Sequence, residues 1–387
     1  MPKDQQRDVL DAVRAPIEMA RGLPNAHYTD PETIAEENEA VLARGWAALA
    51  VGADVPEPSD CKPFEFLGQP LLLLRDKDGT LRVFQNICRH RGMILVDAPR
   101  KIEGAIRCPY HSWCYAKDGR LVSTPHVGGP GLNSHPQMDR ATLGLIEVRS
   151  HIWRDVVFVN LSGDAAPFED IHADLLTRWK EVDKPVYHGG LESRFTLEVD
   201  TNWKLAVENY CESYHLPWVH PGLNSYSRLE DHYHIEEPGK YSGQGTYVYR
   251  QLKGDDGQVF PDFEGLSDFW DEGAEYVALY PNVLLGVQRD HAFAIVLEPV
   301  AHDKTREHVH LYYAKPDIDA GLLNKNAEQW KEVFAEDVFV VEGMQRGRAA
   351  PGFDGGRFSP AMDGPTHLFH AWVAEKVAAL RAEKDAL

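Results

Sequence analysis

The sequence is poor in cysteine and contains no long apolar run. Its 387 residues include only five cysteines, at positions 61, 88, 108, 114 and 211, an odd number that argues against a disulfide framework. No apolar stretch reaches the roughly eighteen residues of a membrane span, and the amino terminus has no basic segment followed by an apolar one. We therefore expect a cytoplasmic protein, not bound to a membrane, whose cysteines bind metal or are simply buried.

Positive charge is also scarce. Forty lysines and arginines face sixty aspartates and glutamates, which gives a formal net charge of −20. Because like charges repel, this balance disfavours nucleic acid and anionic membrane surfaces as partners. It slightly favours a cationic partner or substrate.

The distribution of apolar residues predicts two domains of different texture. Residues 8–48 have a helical pattern, whereas 64–161 contain short apolar runs separated by Gly, Asp and Pro, which predicts a small all-β unit. Strand-like and helix-like segments then alternate, and helices are expected around 321–347 and 366–385. The fold class is therefore α+β, with a small all-β domain and a larger α+β domain.

Two Cys/His pairs form the first motif with chemical content. They are Cys88-x-His90 and Cys108-x-x-His111, and each follows a strand-like run, which places the pairs on facing loops. Zinc sites more often use C-x-x-C or H-x-x-x-H spacings. Two cysteines with two histidines instead resemble the ligands of a Rieske [2Fe–2S] cluster, in which the cysteines bind one iron and the histidines the other.

The resemblance to Rieske domains extends beyond the four ligands. Further matches to the oxygenase version of the motif are Arg89, Arg91, Gly92, Pro109 and Trp113. Met93 and Tyr110 stand where respiratory Rieske proteins carry two additional cysteines that form a disulfide. The resemblance therefore favours the branch that contains oxygenases and ferredoxins.

A second motif, Glu212-x-x-His215-x4-His220, follows the tripeptide Asn-Trp-Lys at 202–204. Histidines five residues apart lie about 140° apart around an ideal helix, so they would not share one face. We expect Pro217 to break the helix between them and to let both rings reach one metal. Taken alone, such a pair is more often found on the surface or packed in a core.

Together the two motifs resemble the catalytic subunits of Rieske non-haem iron oxygenases. In that family two histidines and one carboxylate bind Fe(II) and leave positions open for dioxygen. The resemblance places the carboxylate on a carboxy-terminal helix, and Asp337, five residues before Glu342 and eight before Gln345, matches in spacing. Glu336 is the rival ligand, and a solvated acidic helix face is the alternative to both.

The resemblance also implies roles for two neighbouring residues. An acidic residue at the position of Glu212 would bridge a Rieske histidine of one subunit to an iron-ligating histidine of the next. The family usually has aspartate there, and glutamate resembles members that act on quaternary amines. Asn209 is a candidate pocket residue, although a structural or capping amide is equally consistent with the sequence.

The resemblance covers essentially the whole chain and implies its organisation and partners. It predicts amino-terminal helices at 1–40 that pack on the catalytic domain, a Rieske domain at 41–165, and a catalytic domain at 166–387 with an antiparallel sheet flanked by helices. Electrons would come from NAD(P)H through a separate reductase, with or without a ferredoxin, because too few cysteines remain for a plant-type cluster and no G-x-G-x-x-G motif follows a strand. A homotrimer is expected.

The implied activity is the terminal oxygenase reaction, in which O2 is used to hydroxylate or oxidatively demethylate a small organic substrate. Glu212 and the acidic composition favour a quaternary or N-methylated amine. An aromatic ring or aromatic acid is the alternative substrate. A Rieske electron carrier without catalytic iron is the alternative class of protein.

Overall fold

The computed structural model describes residues 9–386. The chain divides into two compact units: Leu49–Ala165 form one, and the residues up to Ala48 together with those from Ala166 onward form the other. Among the described helices, none combines the length and the apolar character needed to cross a membrane.

The smaller unit is built from short strands in three sheets. Its sheet orders are β4-β3-β2-β5, β6-β7-β8 and β1-β10-β9. The strands are β1 (Ala47–Val51), β2 (Asp60–Phe66), β3 (Gln69–Arg75), β4 (Leu81–Gln85), β5 (Arg100–Lys101), β6 (Ile106–Arg107), β7 (Cys114–Tyr115), β8 (Leu121–Ser123), β9 (Arg149–Trp153) and β10 (Val156–Asn160). The predicted all-β unit is confirmed.

The core of this unit lies beneath the two Cys/His loops. Cys88 and Cys108 belong to the same buried cluster as Leu72, Leu74 and Trp113. The cysteines are thus anchored in apolar packing that the flanking strands supply.

The larger unit is organised around an eight-stranded antiparallel sheet. Its order is β11-β18-β17-β16-β15-β14-β13, and β12 also pairs with β18. The strands are β11 (Tyr187–His188), β12 (Arg194–Val199), β13 (His232–Glu237), β14 (Tyr241–Thr246), β15 (Ala274–Leu279), β16 (Val283–Val287), β17 (His291–Ala301) and β18 (Lys304–Tyr313). The predicted antiparallel sheet is confirmed.

Helices flank this sheet, as predicted for the α+β domain. They are α1 (Ala26–Thr29), α2 (Pro31–Asn38), α3 (Phe168–Ile171), α4 (Ala173–Arg178), α5 (Trp203–Tyr210), α6 (Leu216–Val219), α7 (Pro221–Asn224), α8 (Phe269–Glu272), α9 (Ala320–Gly347) and α10 (Gly364–Ala386). The side chain of Asp319 caps α9 by accepting a hydrogen bond from the backbone N–H of Leu322, and Asn202 caps α5 in the same way through Lys204.

The helical prediction for residues 8–48 is only partly correct. Residues 9–13 are helical, turns follow, and α1 and α2 come next, with a π-helical turn at Glu39–Ala43. Pro16 and Pro24 explain the interruption, since a proline removes a backbone donor and clashes with the preceding helical turn. Residue 8 lies outside the described residues.

The helix that leads to the histidine motif is shorter than predicted, and the role expected for Pro217 is wrong. Helix α5 ends at Tyr210, before either histidine, because the Glu212 side chain accepts a hydrogen bond from the backbone N–H of Tyr214 and supports a turn instead. Pro217 lies in the first turn of α6, where proline is well tolerated. His215 and His220 flank this short helix.

Two buried charge clusters join the segment containing α1 and α2 to helix α5. In the first, Glu37 contacts Lys204 Nζ at 2.5 Å and His27 Nδ1 at 2.6 Å, and the Glu37 and Lys204 side chains are fully buried. The second cluster surrounds Glu208, which is also on α5. Because both clusters are shielded from water, each charge depends on its partner.

Candidate functional site

The two Cys/His loops have the same backbone hydrogen-bond pattern. The N–H of Cys88 donates to the carbonyl of Met93 at 2.8 Å, and the N–H of Cys108 donates to the carbonyl of Trp113 at 2.8 Å. In each case the acceptor lies five residues after the cysteine. The loops are therefore structural equivalents, although their histidines lie at different distances from the cysteines.

Each loop reverses direction four residues after its cysteine. Gly92 has φ +72° and donates its N–H to Cys88 O at 2.9 Å, and Ser112 has φ +57° and donates to Cys108 O at 3.0 Å. A positive φ suits glycine and is uncommon for serine. At Ser112 the turn is therefore imposed by the surrounding structure. The same backbone hydrogen bonds therefore hold the cysteine of each loop.

The loops bury their sulfur atoms and expose their imidazoles. Cys88 and Cys108 are each 2% exposed, whereas His90 and His111 are exposed residues. The two imidazole centroids lie 4.8 Å apart, and Trp113 stacks on His90 at 4.7 Å. Two buried thiols beneath two adjacent exposed imidazoles fit the donor set of a Rieske cluster.

The sequence did not identify Tyr115 as part of this site. Its hydroxyl lies 3.2 Å from Cys88 Sγ and accepts a hydrogen bond from the N–H of Arg89 at 3.0 Å. Burial raises the pKa of Tyr115, so the hydroxyl keeps its proton and can donate it to the sulfur. A tyrosine seven residues after the second cysteine carries no signal for this contact in the sequence.

The structure brings together the three side chains expected at the mononuclear site. His220 Nε2 lies 3.1 Å and His215 Nε2 lies 3.6 Å from the same oxygen, Oδ1 of Asp337. Among the described residues, these three form the one group of His, Cys, Asp or Glu side chains whose ligand atoms all lie within 4.8 Å of one another. Two imidazoles and a carboxylate fit the donor set of a non-haem iron site.

Two glutamates hold the other nitrogens of these imidazoles. Glu212 Oε1 lies 2.7 Å from His215 Nδ1, and Glu336 Oε2 lies 2.7 Å from His220 Nδ1. A carboxylate can only accept, so each Nδ1 donates a proton to its glutamate, and each Nε2 faces Asp337 Oδ1. Glu336, the rival for the third ligand, therefore faces the opposite side of His220 from Asp337.

The sequence also pointed to Asn209, and the structure places it against Asp337. Asn209 Nδ2 donates to Asp337 Oδ1 at 3.2 Å. Both residues, with Glu307, line a void of about 20 Å³, which is room for roughly one water molecule. Burial, reinforced by the charge of Asp337, raises the pKa of Glu307 to about 8.

A much larger cavity, of about 680 Å³, opens beside the histidine motif. Glu336 lines it and also contacts His220, so the cavity adjoins the mononuclear site. Its aromatic lining consists of Tyr226, Tyr249, Tyr276 and Trp330. Its size is that of a typical small-molecule site.

Five side chains of the catalytic unit that could line a pocket or pack in the core are Tyr226, Asp231, Trp270, Tyr280 and Phe293, and of these Tyr226 lines this cavity. The others, Asp231, Trp270, Tyr280 and Phe293, do not belong to its lining. Trp270, Tyr280 and Phe293 are buried core side chains. The sequence did not predict that the segment around Tyr249 and Arg250 lines the cavity. This segment is a loop, and its residues follow no periodic pattern.

Comparison with known families agrees with this geometry. Residues 45–136 match the model of the Rieske [2Fe-2S] domain, and residues 176–379 match the ring hydroxylating alpha subunit (catalytic domain). The second match alone covers more than half of the chain. The two Cys/His loops lie in the first region, and the histidine motif and Asp337 lie in the second.

Among curated relatives, the chain is similar to the carnitine monooxygenase oxygenase subunit of Acinetobacter pittii. The identity is 27% over 348 residues, which cover 87% of this chain and 88% of the relative. The chloroplastic choline monooxygenase of Arabidopsis thaliana is 27% identical over 373 residues, covering 92% and 83% of the two chains. Both alignments include most of each protein.

Solved structures share the fold. A quaternary ammonium Rieske monooxygenase in complex with L-carnitine has a TM-score of 0.76 and 24% identity, covering 95% of this chain and 98% of that one. Naphthalene 1,2-dioxygenase from Rhodococcus sp., bound to indole, has a TM-score of 0.74 and 19% identity, covering 99% and 100%. The chain belongs to the ring-hydroxylating alpha subunits and is the oxygenase component of a Rieske-type enzyme, with a [2Fe–2S] domain and a mononuclear iron domain.

Proposed function

We propose that this oxygenase hydroxylates or oxidatively demethylates a quaternary or N-methylated amine. One oxygen atom would enter a carbon–hydrogen bond beside the nitrogen and the other would leave as water. The two electrons would come from NAD(P)H through a separate reductase, with or without a ferredoxin. The single observation that carries the choice of substrate is the aromatic lining of the cavity next to Glu336.

A wall of aromatic side chains can bind a cation that lacks N–H groups. Such a cation cannot donate strong hydrogen bonds, but it is attracted to the faces of Trp and Tyr rings. Tyr226, Tyr249, Tyr276 and Trp330 supply those rings. The names of the carnitine and choline monooxygenases point to the same class of substrate.

Negative charge behind this wall strengthens the preference for a cation. Asp290 is fully buried and its Oδ1 accepts from the Tyr249 hydroxyl at 2.8 Å and from His291 Nδ1 at 2.8 Å. Burial alone would raise the pKa of Asp290, but His291 and Tyr249 hold it below the ordinary value. Trp330 Nε1 donates to His291 Nε2 at 2.8 Å, and this hydrogen bond fixes the orientation of the indole ring.

For the metal centres we propose the ligands expected from the sequence. Cys88, Cys108, His90 and His111 would hold the cluster, and His215, His220 and Asp337 the mononuclear iron. Iron at these three ligands would keep positions open for dioxygen. Glu212 and Glu336 orient the imidazoles through Nδ1. Asn209 is a positioning residue, because it holds Asp337 Oδ1.

We also propose the domain limits and assembly that the resemblance implies: amino-terminal residues 1–40 on the catalytic domain, a Rieske domain at 41–165, a catalytic domain at 166–387, and a head-to-tail homotrimer. In that trimer, Glu212 would contact a Rieske histidine of the neighbouring copy. The exposure of His90 and His111 supports an approach from outside. A cytoplasmic location is supported by five buried cysteines that form no disulfide bond with one another.

The homotrimer and the bridge are tested together with Glu212→Gln. This change replaces one acceptor oxygen with a donor amide, so the bridge weakens while both metals stay bound. Cluster reoxidation in a single-turnover stopped-flow measurement should slow severely, with light scattering still reporting a trimer. Reoxidation at the wild-type rate, or an active wild-type monomer, would contradict the assembly.

The substrate proposal is tested by single turnover of the prereduced oxygenase, which needs no reductase. The enzyme is exposed to 18O-labelled dioxygen with carnitine, choline or benzoate, and products are identified by mass spectrometry. We expect labelled product, or its demethylated successor, from at least one trimethylammonium compound and none from benzoate. Product from benzoate alone would favour the aromatic-acid alternative.

Iron analysis separates the oxygenase from an electron carrier. The oxygenase should contain about three irons per chain, two in the cluster and one mononuclear, whereas a carrier would contain about two. Wild-type protein with only cluster iron after anaerobic loading with Fe(II) would favour the carrier.

A further inference from the structure

Two cations on one loop line the large cavity. Arg250 and Lys253 are exposed residues that contribute to its wall. In the described part of the chain, neither forms an ion pair. The nearby carboxylate of Asp255 pairs instead with Lys325 Nζ at 2.8 Å. Two cations without a carboxylate partner at a cavity are available to bind an anionic group of a ligand.

The aromatic wall positions the first of these cations. The guanidinium carbon of Arg250 lies 5.8 Å from the centroid of the Tyr226 ring, and Tyr226 is itself a lining residue. A guanidinium held over an aromatic face loses part of its conformational freedom before any ligand binds. Arg250 is therefore partly preorganised toward the cavity.

The opposite charge lines the same cavity from another element. Glu332 and Glu336 lie one turn apart on α9, so they share a face of that helix. The described residues show no ion pair between these glutamates and Arg250 or Lys253. The cavity thus presents separated charges of both signs. The glutamates would repel a purely anionic ligand, and the arginine and the lysine would repel a purely cationic one.

We infer that the substrate is a zwitterion whose carboxylate is bound by Arg250, with Lys253 as a second positive charge. The ammonium end would then lie toward the aromatic wall and Glu336, beside the mononuclear site. Arginine suits this task because its planar guanidinium can donate two parallel hydrogen bonds to one carboxylate. This inference rests on the proposed function and refines it.

The inference distinguishes between the substrates in the names of similar proteins. Carnitine and γ-butyrobetaine, which are bound in two solved structures of one quaternary ammonium Rieske monooxygenase, carry a carboxylate. Choline, in the names of other relatives, carries a neutral hydroxyl. Arg250 and Lys253 place the substrate of this chain among the carboxylates.

The test compares two ligands that differ only in the carboxylate. γ-Butyrobetaine and butyltrimethylammonium are titrated into the iron-loaded, full-length oxygenase by isothermal calorimetry. We expect wild-type protein to bind γ-butyrobetaine about tenfold more tightly or better, the range of one charge-assisted hydrogen bond or more. Arg250→Gln should bring the two affinities together, and Lys253→Gln should reduce their ratio by a smaller factor.

Arg228→Gln is the matched control. Arg228 is an exposed arginine close in sequence to Tyr226, but it does not line the cavity. Its replacement should leave the ratio of affinities at the wild-type value. Equal binding of both ligands by wild-type protein, or the same change in Arg228→Gln as in Arg250→Gln, would overturn the inference while leaving the proposed function intact. If wild-type protein binds neither ligand, the proposed function fails as well.

Discussion

The two candidate metal sites are held in place by different means. In the Rieske unit, backbone hydrogen bonds fix both cysteines, and the two loops repeat the same turn at Gly92 and Ser112. In the catalytic unit, side chains do this work: Glu212 and Glu336 hold the imidazoles of His215 and His220. One site is thus built by local chain geometry and the other by contacts between distant elements.

The difference explains where each site is vulnerable. Backbone hydrogen bonds survive most side-chain substitutions, so the Rieske loops should tolerate changes other than those of the ligands. The proposed catalytic ligands lie on segments more than one hundred residues apart, and each histidine depends on a carboxylate that a single substitution can remove. The following predictions test this contrast.

The largest effects should come from substitutions of the proposed metal ligands. Each substitution should remove the metal centre of its own unit and leave the centre of the other unit in place. Cys108→Ser should abolish the electron paramagnetic resonance signal of the cluster while mononuclear iron still binds. Asp337→Ala should remove mononuclear iron and all product formation while the cluster remains reducible. Metal content and the spectrum of each variant, measured together, check this reciprocity.

Matched substitutions serve as controls for these two variants. Cys114 is another buried cysteine of the Rieske unit, and Glu328 is an exposed acid on the same helix as Asp337. Cys114→Ser and Glu328→Ala should keep both centres. If Asp337→Ala retains full iron while Glu336→Ala loses it, the third ligand has been misassigned.

The contrast between the sites also decides what the sequence could predict. The proposed Rieske ligands lie within 24 consecutive residues, and their spacing follows from two local turns, so the sequence alone was enough to identify the motif. The position of Asp337 depended on the resemblance, because a carboxylate on a helix has no local feature that marks it as a ligand. The contact of Glu336 with His220 Nδ1 was not predicted, since it joins residues 116 apart in the chain.

The fold shows the same limits. Helices α9 and α10 were predicted from their apolar pattern, whereas the antiparallel sheet was predicted from the family resemblance. The end of α5 at Tyr210 was missed, because a single side-chain contact from Glu212 to the N–H of Tyr214 decides it. The cavity-lining loop around Arg250 has no periodic pattern and became visible only in three dimensions.

Acid should weaken the catalytic unit through a buried carboxylate on α5. Glu208 contacts His370 Nε2 at 3.2 Å and Arg348 at 3.5 Å, and accepts from the Tyr28 hydroxyl. Burial alone would raise the pKa of Glu208, but His370 and Arg348 lower it from 4.5 to about 2. Since the folded pKa is below the unfolded one, this stabilisation is complete above pH 4.5 and is lost as the pH falls toward 2.

The shift corresponds to about 3 kcal/mol of unfolding free energy. Denaturant titrations at several pH values should therefore show a steeper loss of stability below pH 4.5 for wild-type protein than for Glu208→Gln. Glu375→Gln, at an exposed position of α10, should behave like wild type. An identical pH dependence in the wild type and Glu208→Gln would exclude Glu208 as the cause.

The glutamate that holds His220 should matter less than the ligand itself. Glu336→Gln keeps the length of the side chain but substitutes an amide for the carboxylate at Nδ1. Loss of such a partner of a metal-binding histidine typically costs roughly 10–100-fold in metal affinity. Iron binding, measured by competition with a chelator, should weaken in that range while the spectrum of the cluster stays unchanged. Loss of the cluster signal would indicate a general folding defect instead.

The smallest effect should come from Tyr115, a side chain that supports the backbone-held site. Tyr115→Phe removes the hydroxyl that lies 3.2 Å from Cys88 Sγ and leaves the N–H of Arg89 without that acceptor. A hydrogen bond donated to sulfur stabilises the more negative, reduced cluster, so its loss should lower the reduction potential. A net contribution of about 1 kcal/mol corresponds to roughly 40 mV for a one-electron couple. Voltammetry of the variant should show a shift of that order with the cluster still fully assembled. A potential equal to that of the wild type would mean that the hydroxyl does not donate to the sulfur, and loss of the cluster would mean that this loop, too, depends on a side chain.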